Sequence, residues 1–190
     1  GCEESISNSL RYAREMIRKT KLLCITFGTT RCYRLRDAAG YVVANCHKEL
    51  PSSFVEEEPS ADVLKTDWLS LMKQLAEKFP EMKVCITVSP YRYKKYGFHE
   101  SQLQKSKLLL LADAVEKETG NAFYFPSYEI MLDELRDYRF YATDMLHPSE
   151  QAVQIITERF ADWIFSDNMK RRAVENLKLW RQNQHIPISR

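Results

Sequence analysis

The chain has 190 residues, 44% of them hydrophobic and 28% charged, which suits one soluble domain with a normal core, with at most an appendage. A net charge of +2 gives no basis for nucleic-acid binding or for docking to an acidic membrane. No stretch is apolar for long enough to span a bilayer, and no signal peptide is visible.

Ile6, Leu10, Ala13 and Ile17 recur at helical spacing and predict a helix over 5–19. The run "LLCITF" is short, apolar and rich in strand formers, and Gly28 ends it as it would end a buried strand. "CYRLRDAAGYVVAN" reads as two extended runs around a glycine turn, a hairpin. The acidic "EEEPS" at 56–60 reads as a solvated loop, and Ser60 can cap the next helix. Leu64, Trp68, Leu71, Met72, Leu75 and Phe79 line one face of that helix, and Pro80 stops it.

"KVCITVSP" is a second buried strand, followed by the irregular aromatic loop "YRYKKYGFHE". A helix through Leu103, Leu108, Leu111, Ala112 and Val115 ends near Gly120, and "AFYFPS" is a third strand. A helical turn over 128–135 leads into "RDYRFYATDMLHPS", and two helices close the chain at roughly 149–166 and 169–184. Strands alternating with helices predict a three-layer α/β/α, flavodoxin-like domain with a parallel sheet. Three strands make a narrow sheet, so an N-terminal segment, a dimer partner or an unusual strand order is expected to complete it. The expected division is 1–166 for the domain and 167–190 for a helical extension.

Five cysteines with no CxxC pair indicate a reducing, cytoplasmic compartment, with no disulfide and no zinc site. In open α/β sheets the working groups collect at the carboxyl ends of the strands. Those ends are 28–30, Ser89 with Pro90, and 126–128. The loop holding Asp144 and His147 can reach the same edge. With His147 as N-cap, Pro148 as N1 and Glu150 as N3, the imidazole would sit at the positive end of a helix dipole, which favours its neutral form. Asp144 would then fix the ring tautomer, forming the base and orienter of a nucleophile triad. The plainer reading is a turn-capping Asp beside a helix-start His.

Further candidates surround this pair. Gly28, Thr29 and Thr30 end the first strand, as either a simple turn or a set of oxyanion donors. Asn45 and His47 share one face of the hairpin, where they contact substrate or hold the hairpin in place. Arg92, Tyr93 and Tyr96 suit a carboxylate, a phosphate or a sugar ring. Tyr128 lies at the end of the third strand. Glu129, Arg136 and Arg139 with Tyr138 and Tyr141 are expected to form an ion-pair network pinning the loop, Arg139 being also a candidate substrate contact. Ser89 is a poor nucleophile because Pro90 follows where an elbow needs a sharp, glycine-permitted turn. Cys46 and His47 are adjacent on an extended run and point apart.

"DMLHPS" resembles the last block of the SGNH hydrolases, in which an Asp and a His three apart complete a Ser-His-Asp triad. More specifically, "ITFGTTRCYR", "VVANCHKELPSSF", "ITVSPYRY", "SKLLLLADAV" and "YFPSYEIMLDELRDYRFYATDMLHPS" resemble the GSCFA family, a mostly bacterial SGNH-like group, from about Leu22 to Phe160. The resemblance implies an esterase or O-acyltransferase acting on an acylated carbohydrate, without metal or cofactor. It gives His147 and Asp144 their triad roles and places Gly28, Thr29 and Thr30 where SGNH enzymes hold oxyanion donors, Thr30 standing near where an Asn is expected. The Gly-Ser-Cys-Phe-Ala motif that names the family, and whose serine is the nucleophile, does not occur in this sequence. By the resemblance that motif and the first strand are expected to lie outside it. A non-catalytic carbohydrate-binding or interaction module on the same fold is the alternative.

Overall fold

The computed structural model describes residues 2–36, 40–43 and 49–184. Cα packing divides the chain into two compact units, Gly1–Glu129 and Ile130–Arg190. The architecture is mixed α/β, with a parallel three-stranded sheet flanked by helices, consistent with the three-layer α/β/α class.

The first unit opens with helix α1 (Cys2–Lys19), followed by β1 (Leu22–Phe27). Ile6 and Leu10 on α1 are more than half exposed. The parallel sheet holds β1, β5 (Lys83–Val88) and β6 (Ala122–Tyr124), in the order β1-β5-β6. The β1–β5 register runs from Leu22 opposite Lys83 to Phe27 opposite Val88. Val84, Cys85, Ile86 and Val88 are buried, as a central strand of β-branched and apolar residues should be. Among the described residues, β1 pairs on one side only.

Helix α2 (Ala61–Lys78) connects β1 to β5, and α3 (Phe98–Glu118) connects β5 to β6. Both crossovers step in the same direction across the sheet, so right-handed connections put both helices on one face, and α2 packs against α3. Ser60 is the N-cap of α2, its Oγ accepting from the Val63 N–H at 3.3 Å, as expected. On that face Trp68 meets Phe27 edge-on, with ring centroids 4.7 Å apart. Met72 is fully buried, whereas Leu71, expected on the same face, is 41% exposed.

The expected hairpin forms β2 (Cys32–Leu35) and β3 (Val42–Val43). It gains a third strand the sequence reading did not foresee, β4 (Phe54–Glu57), antiparallel to β2. The acidic run is therefore not a solvated loop. Glu57 pairs with Arg34 at 3.0 Å, Glu56 with Lys95 at 3.1 Å and with the Tyr96 hydroxyl, and Glu58 with Arg31 at 3.0 Å and with Lys107. The Lys107 hydrogen bond, above all, holds the Glu58 carboxyl below its ordinary pKa. Arg31 also stacks on the Tyr96 ring, its Cζ 4.1 Å from the centroid. Glu58 thus ties this segment to α3 and Glu56 ties it to the loop after β5, while Glu57 pairs within the small sheet.

The first unit ends in a helical turn, α4 (Ser127–Glu129). In the second unit a π-helical turn (Ile130–Leu135) and a 3-10 turn (Tyr138–Phe140) precede α5 (Glu150–Ile164) and α6 (Asp167–Gln184). Met131 and Ala152 are buried, and Arg159 on α5 pairs with Glu134 at 3.1 Å. Trp180 on α6 is exposed. No helix among the described residues is long and apolar enough to cross a membrane.

Candidate functional site

The Asp144–His147 loop is built almost entirely from local bonds. Tyr141 and Pro148 form an isolated antiparallel bridge, the Ala142 N–H donates to the His147 carbonyl at 2.8 Å, and the Ser149 N–H donates to the Phe140 carbonyl at 2.7 Å. Met145 takes a left-handed conformation, φ 62°, at the tip. Helix α5 begins after this bracket. Its N-cap is Ser149, whose Oγ accepts from the Ala152 N–H at 3.3 Å. The expected cap at His147 is thereby corrected: Pro148 is engaged in the bridge with Tyr141 rather than opening the helix, and the next hydroxyl along the chain takes the cap. His147 lies two residues before the N-cap, so the helix dipole is not what sets its chemistry.

Asp144 sets it instead. One carboxylate oxygen, Oδ1, accepts from the Leu146 N–H at 2.9 Å and the His147 N–H at 3.0 Å. The other, Oδ2, lies 2.5 Å from His147 Nδ1. These bonds, led by the one from the His147 backbone, pull the Asp144 carboxyl down to about 2. An ionised carboxylate accepts only, so Nδ1 carries the hydrogen and the neutral ring is the tautomer whose Nε2 is the basic nitrogen. Both side chains are open to solvent, His147 at 61%. An oriented imidazole on a side chain open to solvent can take a proton from a hydroxyl and return it.

The other sequence candidates fall into distinct surroundings. In the first unit the Gly28 carbonyl accepts from Lys105 Nζ at 3.0 Å. Thr29 is exposed, its Oγ1 accepting from the Arg31 N–H at 3.1 Å. Thr30 is buried, its hydroxyl donating to Glu58 at 3.4 Å. Arg92 lies over the Phe98 ring, with Cζ 4.4 Å from the centroid. Tyr128 is 8% exposed and its hydroxyl donates to Gln102 at 2.9 Å, which makes it part of the core packing around α3. Ser89 Oγ accepts from the Tyr91 N–H at 3.3 Å, an ordinary turn contact. Asn45, Cys46 and His47 lie outside the described residues.

Glu129, Arg136 and Arg139 are expected in one network; the partners seen for Glu129 and Arg139 each lie within their own unit. Glu129 accepts the Tyr124 hydroxyl through both oxygens, at 2.8 and 3.1 Å, whereas Arg139 pairs with Asp137 at 3.1 Å. Glu129 and Arg139 thus have short-range partners, and backbone bonds with Asp144 brace the loop.

Sequence reasoning missed the polar end of α3. Ser101, Gln104 and Lys105 are buried. They continue the Leu108, Leu111, Ala112, Val115 stripe backwards at the same spacing, and extending that stripe would have found them. Leu103, expected in the core, is 45% exposed because it lies off the stripe.

A model of the GSCFA family matches residues 1–160. The chain belongs to the GSCFA family. This is a hydrolase-like family, and the matched stretch contains both the Asp144–His147 loop and the ends of all three parallel strands. No curated protein and no solved structure matches the chain. The described structure holds His147 against the Asp144 carboxylate, and the Gly-Ser-Cys-Phe-Ala motif does not occur in the sequence.

Proposed function

We propose that this GSCFA protein cleaves or transfers an O-acyl ester, with an acylated carbohydrate as the substrate class. The observation that carries the reading is the 2.5 Å contact of Asp144 Oδ2 with His147 Nδ1 on an exposed ring. His147 Nε2 removes the proton of a nucleophilic hydroxyl, which the family resemblance assigns to the serine of the motif not found in this sequence, as that oxygen bonds the acyl carbon. The carbonyl oxygen becomes an oxyanion, for which the family resemblance nominates backbone N–H donors at the end of β1, around Gly28 and Thr29. The ring then gives the proton to the departing alcohol as its C–O bond breaks, and water or a sugar hydroxyl repeats the sequence to release the acyl group. Asp144 remains ionised throughout and stabilises the imidazolium. Arg92 and Arg139 are the candidate contacts for polar groups of the substrate.

The test is hydrolysis of p-nitrophenyl acetate and of acetylated sugars by the intact protein and its His147→Ala variant. The reading expects His147→Ala to lose at least about a thousandfold in kcat. Equal rates in the two proteins would remove the triad and leave a non-catalytic carbohydrate-binding module.

A further inference from the structure

We infer that Lys105 is a positioning residue for the turn at the end of β1: its ammonium holds the Gly28 carbonyl and, through that shared peptide group, strengthens the Thr29 N–H as an anion donor. The anion-binding part of this inference rests on the oxyanion role proposed above for that turn.

The geometry lies wholly within the first unit. Lys105 projects from α3, is 2% exposed, and places Nζ 3.0 Å from the Gly28 oxygen and 5.5 Å from the centroid of the Tyr93 ring. The titratable and charged neighbours are few. Tyr93 presents a ring face, and Ser101 and Gln104 on the same helix are neutral. The charged groups beyond Thr30, namely Arg31, Glu58, Glu100 and Lys107, are bonded to one another. Among the described residues no carboxylate is paired with Lys105, and burial pulls it down to about 8.

A cation buried without a counter-ion destabilises the fold, and an apolar side chain of the same length would not. A stability role therefore does not account for the lysine, whereas its aim at one carbonyl does. The Gly28 C=O and the Thr29 N–H belong to the same planar peptide. A charged donor on the carbonyl draws electron density through the amide and makes its N–H a stronger donor, the same polarisation that strengthens chained hydrogen bonds. Among the described residues no backbone acceptor takes the Thr29 N–H, and Thr29 is an exposed residue.

The experiment is backbone NMR of the wild-type protein and of Lys105→Met across pH 6.5–9.5, with methylphosphonate as the oxyanion probe. In the wild type the Gly28 carbonyl carbon and the Thr29 amide proton are expected to follow one ionisation near pH 8, and in Lys105→Met both are expected to stay flat. Methylphosphonate should shift the Thr29 amide at pH 7 and bind Lys105→Met at least about fivefold more weakly. A flat wild-type titration, or equal probe affinity in the two proteins, overturns the inference. If Lys105→Met does not fold, the wild-type titration decides alone. These readouts need no turnover: an inactive protein with the titration intact would remove the ester-cleaving reading and keep the Lys105 coupling, and an active one with a flat titration would remove Lys105 only.

Discussion

Replacing Lys105 by methionine should change stability in opposite directions at neutral and at alkaline pH. Burial lowers the ammonium from its ordinary 10.5 to about 8. At about 1.4 kcal/mol per tenfold change in proton affinity, holding the charge in the fold at pH 7 costs about 3 kcal/mol. Methionine removes that cost but leaves the Gly28 carbonyl without its donor, a loss of about 1–2 kcal/mol. Lys105→Met should thus be more stable than wild type by about 1–2 kcal/mol at pH 7. Between about pH 8 and 10.5 the unfolded wild-type chain still holds the proton that the folded chain has released. Wild-type stability therefore rises with pH through that window by this group's contribution and is flat below it. The variant lacks the contribution, so the two stability curves should cross near pH 9, with the wild type ahead at pH 10.5. Cys85 and Tyr124, both raised by burial, titrate alike in the two proteins and cancel in the difference. Urea unfolding at fixed pH from 7 to 10.5 measures it. A Lys105→Met protein already less stable at pH 7, or a difference independent of pH, would refute the reasoning.

Asp144→Asn should preserve the loop and lose the base. The asparagine oxygen can still accept the Leu146 and His147 N–H groups, but its NH₂ faces Nδ1 and forces the hydrogen onto Nε2. Near-wild-type thermal unfolding with a kcat lower by about a thousandfold or more is expected, together with a reversed tautomer in ring ¹⁵N shifts. Met72→Ala, at a fully buried position on α2, should cost about 2–5 kcal/mol in urea unfolding without altering the Asp144–His147 contact.

The parallel sheet was legible because β1 and β5 are continuous runs of β-branched and apolar residues between helices, a pattern a buried central strand requires. β4 was not, because its two glutamates read as solvated until Arg34 and Lys95 are known to face them. The spacing of Asp144 and His147 was enough to suggest their contact. The position of the helix start was not readable from spacing, since whether Pro148 opens a helix or pairs with Tyr141 depends on a partner seven residues back. Lys105 escaped for a related reason. A lysine is assigned to water by default, and only the register of α3 against Gly28 shows that this one faces inward.

The hydrogen bonds within the Asp144–His147 loop join residues no more than nine positions apart, from Phe140 to Ser149. Its internal bonding is therefore carried by the segment itself, much as a tool keeps its edge whatever handle it is fitted to. Substitutions elsewhere in the molecule can change what surrounds the loop while the contact between Asp144 and His147 stays as it is. The surroundings and the contact are in this sense inherited separately.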